Sequence, residues 1–161
     1  MFTSASRIRF PLSGKLTILP AVEFQNQMLY PSILLADDDI EDQELLKESL
    51  LEQEPAARID VVWNGQEVLS YLSKCQDDNL PQLLILDFQM PILGAVDTLD
   101  RLQQDSRYDA IHKVVWSTST QPEHIEKCLK KGAIRYLPKP NNKDELNALA
   151  GSVLALCRTV G

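Results

Sequence analysis

Two apolar runs of this sequence stop on carboxylates. Ile33-Leu34-Leu35-Ala36 runs into Asp37-Asp38-Asp39, and Leu83-Leu84-Ile85-Leu86 runs into Asp87. Short continuous apolar runs bounded by polar residues read as strands covered on both faces, and in open parallel sheets the working crevice lies outside the strands' carboxyl ends. Carboxylates gathered there repel one another, and a hard divalent cation such as Mg2+, which prefers oxygen ligands, is the usual remedy. Two more polar residues follow later apolar runs: Ser117, a hydroxyl donor, after the fourth, and Lys139, a compact positive charge, after the fifth. A carboxylate is a competent nucleophile toward phosphorus, and phosphoryl transfer is mostly positioning plus charge neutralisation.

The chain around these residues has the length of one domain. Its 161 residues are 44% hydrophobic and 24% charged, ordinary for a globular protein. Twenty-three acidic against 16 basic residues give a formal charge of -7, which disfavours nucleic-acid phosphate as a direct partner. Cys75, Cys128 and Cys157 are odd in number, widely spaced and without a CxxC pair. They argue against a disulfide framework or a zinc site and for a reducing, cytoplasmic location. His112 and His124 are too few and too far apart for a metal cluster.

The first thirty residues differ from the rest. Through Val22 they carry Arg7, Arg9 and Lys15 with no acid, and Pro11, Gly14 and Pro20 interrupt them. Residues 1–30 therefore read as a disordered tail, with no apolar core for a secretory signal and no membrane-spanning run. Met28 stands just before the first strand, and translation is expected to begin there.

From Ile33 onward strands and helices alternate. Strands are expected at 33–36, 58–62, 83–86, 113–116 and 134–137. Helices are expected at 40–53, with Leu45, Leu46 and Leu50 inward and Asp38 or Asp39 as cap; at 66–74, after a turn at Asn64-Gly65; near 96–104; from Pro122 to Lys130; and at 144–157. Lys130-Lys131-Gly132 is a helix-ending signature. Five strands each followed by a helix specify an α/β fold with a parallel sheet and right-handed crossovers. Five units are too few for an eightfold barrel. The expected architecture is a doubly wound, flavodoxin-like five-stranded parallel sheet of order 2-1-3-4-5.

With these elements in place, residues 31 to about 158, within an expected domain of residues 31–161, resemble the receiver domain of two-component response regulators. The resemblance is carried by Leu-Leu-Ala-Asp-Asp-Asp, Leu-Asp-Phe-Gln-Met-Pro, Trp-Ser-Thr-Ser and Tyr-Leu-Pro-Lys-Pro, in that order at successive strand ends. It implies that Asp87 accepts a phosphoryl group and that Asp38, Asp37 through water, Asp87 and the backbone carbonyl of Gln89 hold Mg2+. It further implies that Lys139 and Ser117 act on the phosphoryl oxygens, that Ser117 and Tyr136 form the switch, and that a cis Lys139-Pro140 bond aims the lysine inward. The implied partners are a histidine kinase or phosphotransfer protein and a downstream protein, with no nucleic acid and no membrane.

Simpler roles apply to neighbouring residues. Asp39 reads as a helix cap, and Trp63 and Trp116 as packing. Gly94-Ala95 departs from the family's usual Asp-Gly and leaves the entry into the following helix open, whereas Gln89, Thr118 and Ser119 are placed to tune phosphoryl lifetime. The expected activity is a stand-alone switch that catalyses its own aspartyl phosphorylation and dephosphorylation, without an output domain after residue 161. The alternatives are a phosphorylation-independent interaction module and a Mg2+-dependent phosphatase. Against the latter, Gln89 stands where haloacid-dehalogenase-like phosphatases need a second acid.

Overall fold

The structure is a computed structural model that describes residues 8–12, 15–19 and 30–158. The chain divides into two units, Met1–Tyr30 and Pro31–Gly161. In the first, β1 (Ile8–Leu12) and β2 (Lys15–Leu19) pair antiparallel with Ile8 opposite Leu19, a local pairing in a segment whose sequence shows no strand period. Met28, and with it the expected start of translation, lies outside the described residues.

The second unit alternates strand and helix throughout. Its elements are β3 (Ser32–Ala36), α1 (Ile40–Gln53), β4 (Arg58–Val62), α2 (Gly65–Lys74), β5 (Leu83–Asp87), α3 (Ala95–Gln103), β6 (His112–Ser117), α4 (Pro122–Lys130), β7 (Arg135–Pro138) and α5 (Lys143–Arg158). All five strands pair in parallel, in the order β4-β3-β5-β6-β7. Counted within this sheet that is 2-1-3-4-5, as expected. The chain reverses its direction of winding between β3 and β5, and the crevice at such a reversal is where ligands of this architecture bind.

Alternation along the strands divides the core into two layers. Ile33, Leu35, Leu83, Ile85, Val114 and Trp116 face one side, against Leu46 and Leu50 of α1 and Ala150, Val153 and Leu154 of α5. Leu34, Ala36, Leu84, Leu86 and Val115 face the other, against Val68 and Leu72 of α2, Leu99 and Leu102 of α3 and Cys128 of α4. Every residue of β5 is buried, so this central strand has no face open to solvent. Cutting a side chain such as Leu84 back to alanine would cost about 2–5 kcal/mol, because both layers are already filled.

Local chemistry sets the helix ends. Asp39 is the N-cap of α1, its carboxylate accepting from the N–H groups of Glu41 and Asp42 at 2.9 and 3.2 Å. Asn64 caps α2 through the N–H of Glu67 at 3.0 Å, while the Glu67 carboxylate accepts from the Trp63 N–H at 2.9 Å, a capping box displaced by one residue. Past α4, Gly132 takes φ +95, and the N–H groups of Gly132 and Ala133 donate back to Leu129 and Cys128. Gly94 starts α3 with no side-chain cap, and the hydroxyl of Thr98 donates to its carbonyl at 2.7 Å.

Several expectations need correction. Leu45 is 52% exposed: it lies one residue, 100° of helix, before Leu46 and points outward, and Gln43 and Ser49 take the buried places beside Leu46 and Leu50. Trp63 is 45% exposed and lies outside the core, where Trp116 packs. The described residues contain no cis peptide, so Lys139-Pro140 is trans.

Candidate functional site

β3 delivers Asp37 to the crevice fully buried. Its backbone N–H continues the sheet by donating to the Val62 carbonyl, and the Gln43 side-chain amide of α1 donates to the Asp37 backbone carbonyl. The carboxylate is held at both oxygens: Oδ1 accepts from the Asp39 N–H at 2.9 Å and Oδ2 from Lys139 Nζ at 2.8 Å. Asp38, next in the chain, is exposed at the mouth. Asp87 ends β5, its side chain about nine-tenths buried. Carboxylate oxygens of Asp37, Asp38 and Asp87 all lie within 4.8 Å of one another.

Lys139 enters from the segment after β7. Its backbone N–H donates to the Ser117 carbonyl at 2.8 Å, extending the β6–β7 pairing by one residue. That bond fixes the backbone path at Lys139, and the peptide that follows is trans. The ammonium lies 3.1 Å from Asp87 Oδ1 and 4.8 Å from the centre of the Trp116 ring.

Burial raises the pKa of the Asp37 carboxyl, an effect its bonds to Lys139 and Asp39 only partly offset. Asp87 is pushed up to about 6, mainly by burial, with the charge of Asp37 adding to the shift and Lys139 opposing it. Burial works against the charge of Lys139, but its carboxylate partners outweigh this and hold the ammonium above the usual lysine range.

Ser117, the last residue of β6, is buried one position beyond Trp116, the partner of Asp87 across the β5–β6 pairing. Its Oγ accepts from the Ser119 N–H at 3.0 Å, which fixes the turn leaving β6. Tyr136 of β7 donates its hydroxyl to the Ser119 carbonyl at 3.0 Å, so both residues read as switch positions hold the same turn. Gln89 lies exposed in the loop after β5. In that loop the Leu93 N–H donates to the Pro91 carbonyl at 2.7 Å around Ile92, whose φ of 68 is a strained conformation for a β-branched residue.

Two residues at the site escape the sequence reading. Asp42, in the first turn of α1, accepts from Lys139 Nζ at 2.8 Å. Its place in the first helical turn gives no signal of this role, since its partner lies 97 residues away in the sequence. His124 stacks on Phe88 with ring centroids 4.3 Å apart and shares a 2.8 Å hydrogen bond with the Ser119 hydroxyl. No sequence signal joins His124 to Phe88, since only tertiary packing brings them together.

All the donors in the acidic cluster are carboxylate oxygens, three of them converge, and one is exposed at the mouth, which fits a hard divalent cation that keeps part of its water. Among the described residues no helix is long and apolar enough to cross a membrane.

Comparison with known proteins agrees with this architecture. The family model described as response regulator receiver domain matches residues 33–150. The two-component response regulator ORR3 of Oryza sativa subsp. indica is 29% identical over 124 residues, covering 77% of this chain and 91% of its own length. The transcriptional regulatory protein CpxR of Escherichia coli (strain K12) is 38% identical over 122 residues, covering 76% of this chain but only 48% of CpxR. Among solved structures, the phosphorylated cyanobacterial phytochrome response regulator RcpA superposes with a TM-score of 0.73 at 22% identity, covering 82% of this chain and 96% of RcpA. Motif order, sheet topology and the family match converge: this chain belongs to the response regulator receiver domains of two-component systems.

Proposed function

We propose that the unit formed by residues 31–161 is a phosphoryl-accepting switch, with Asp87 as the acceptor and a histidine kinase or phosphotransfer protein as the donor. The observation that carries this reading is the placement of Lys139 Nζ 3.1 Å from Asp87 Oδ1, beside three carboxylates that converge within 4.8 Å.

In the transfer, a carboxylate oxygen of Asp87 attacks the phosphorus of a phosphohistidine. The new O–P bond forms as the P–N bond breaks, and the imidazole nitrogen keeps the electron pair and takes a proton from solvent. Lys139 neutralises charge on the phosphoryl oxygens, and Ser117 supplies a hydroxyl donor. Asp37, Asp38, Asp87 and the Gln89 backbone carbonyl would hold Mg2+, which when bound offsets the negative charge gathered among carboxylates and phosphoryl oxygens.

Phosphorylation adds negative charge and strong acceptor oxygens at the end of β5. Ser117 moves toward them, shifting the turn it holds with Ser119. Tyr136, bonded to that same turn, changes its packing in response. The affected surface comprises α4, β7 and α5, where a downstream protein would read the change as a shift between two packings. Gln89, Thr118 and Ser119 flank the acceptor and set how long the phosphoryl group lasts.

The test is intact-mass measurement after incubation with a small phosphodonor and Mg2+, for wild type and Asp87→Asn. One phosphoryl group is expected on wild type and none on the variant. An unmodified wild type removes the switch reading and favours a phosphorylation-independent module. Equal modification of Asp87→Asn moves the acceptor elsewhere.

A further inference from the structure

Lys139 has one more carboxylate partner than the proposed transfer uses. Its Nζ is 2.8 Å from Asp37 Oδ2, 2.8 Å from Asp42 Oδ2 and 3.1 Å from Asp87 Oδ1, and an ammonium has three protons to share. Asp37 and Asp87 belong to the converging cluster, but Asp42 does not. The three acceptors also differ in burial: the Asp37 side chain is fully buried, whereas that of Asp42 is 36% exposed.

A divalent cation and Lys139 compete for the same oxygens. A cation held by the cluster of Asp37, Asp38 and Asp87, with Asp37 reached through water, would draw the charge of Asp37 and Asp87 away from Lys139, whose own side chain is only 11% exposed. A buried ammonium stripped of its carboxylates is costly. Asp42 stands outside the contested group and can keep its bond. It also borders, with Lys139, a cavity of about 290 Å³ between α1 and the start of α5, which leaves the lysine room to shift toward it.

We propose that Asp42 is a positioning residue acting through Lys139: it keeps the ammonium paired while a divalent cation occupies the cluster of Asp37, Asp38 and Asp87, and so makes loading of that cluster easier. The inference rests on reading that cluster as a Mg2+ site. Without Asp42, Lys139 is shared by Asp37 and Asp87 alone and opposes the cation more strongly.

Calorimetric titration of the unphosphorylated full chain with MgCl2 tests this directly. Asp42→Ala is expected to weaken Mg2+ binding by about fivefold, the range of a partly exposed ion pair, and Asp42→Glu to restore most of it. The deciding comparison repeats Asp42→Ala in a Lys139→Met background, where the loss should vanish. An equal loss in both backgrounds means that Asp42 acts only as a nearby negative charge, and the proposal fails. Unchanged or tighter binding by Asp42→Ala on the wild-type background also overturns it. Should the Lys139→Met protein not fold, the same comparison is made in a Lys139→Gln background, which removes the charge but keeps a polar side chain, and there too the loss on Asp42→Ala should vanish. Absence of Mg2+ binding by folded wild type is a different result, and removes the cation-site reading together with this inference.

Discussion

The backbone N–H of Lys139 donates to the Ser117 carbonyl across 2.8 Å, so the lysine is registered to the end of β6 by main-chain pairing rather than by its own side chain. Its ammonium then arrives among carboxylates as part of the sheet geometry. Side-chain replacement at position 139 should therefore alter charge in the crevice while the backbone path stays.

Replacing Lys139 with methionine leaves the fully buried Asp37 carboxylate without its cation. Removing one partner of a buried pair typically costs 3–5 kcal/mol, and here about 3 kcal/mol is expected because the Asp39 N–H still serves the other oxygen. Urea unfolding of Lys139→Met in a chelating buffer should show this loss, and added Mg2+ should recover part of it. A variant as stable as wild type in the chelator would mean that the ion pair contributes nothing.

Asp87→Asn should act in the opposite direction. Burial and the neighbouring Asp37 charge make the ionised Asp87 unfavourable in the folded, cation-free protein, and the Lys139 contact compensates only in part. Asparagine keeps the shape and removes the charge. At neutral pH in a chelator the variant is expected to be more stable than wild type by about 1 kcal/mol, and Mg2+ should narrow the gap by stabilising wild type more. Loss of stability on this substitution would show that the pair with Lys139 outweighs burial.

How much of this was legible in the sequence follows from which signals are local. Apolar runs ending in acid gave β3, β5 and their carboxylates, because fully buried strands leave no other pattern. Asp39 was readable as a cap from its position alone. Leu45 and Leu46 were not separable by composition, since adjacent leucines on a helix lie 100° apart and the neighbouring α5 decides which is covered. Asp42 looks like any acid in a first helical turn until Lys139, 97 residues later, is placed beside it. The aim of Lys139 likewise depended on a bond between two strand ends, which no local motif encodes.

Gly65 shows another such non-local demand. Its position at the start of α2 calls for no unusual backbone angle, yet a Cβ there would lie 1.9 Å from Thr98 Oγ1 and 2.6 Å from the Leu93 carbonyl oxygen. The glycine is required by the closeness of α2 to α3 and its entry loop. Gly65→Ala should cost about 2–3 kcal/mol of stability, despite alanine's better helix propensity. Thr98→Ala added to it should recover part of that cost by clearing the hydroxyl, leaving the backbone clash. Thermal melts of the two single variants and the double variant measure this coupling, and strictly additive losses would contradict it.

The three cysteines should differ in reactivity according to their places in the two core layers. Cys128 and Cys157 are buried on opposite faces of the sheet, and burial pushes both thiols up to about 11. Cys75 is only half buried; burial raises its thiol as well, and the thiol donates to the Tyr71 carbonyl at 3.4 Å. At pH 8 a thiol-specific reagent should therefore modify Cys75 first and reach the other two only on unfolding. The same burial has a pH consequence. Between about pH 9 and 11 the unfolded chain gives up these thiol protons while the folded protein retains them, so the folded state binds more protons and its stability falls as pH rises. Denaturant midpoints at pH 8 and pH 10 should show that decline. It should be shallower in a Cys128→Ala/Cys157→Ala variant, and an unchanged slope would assign the alkaline sensitivity to other groups.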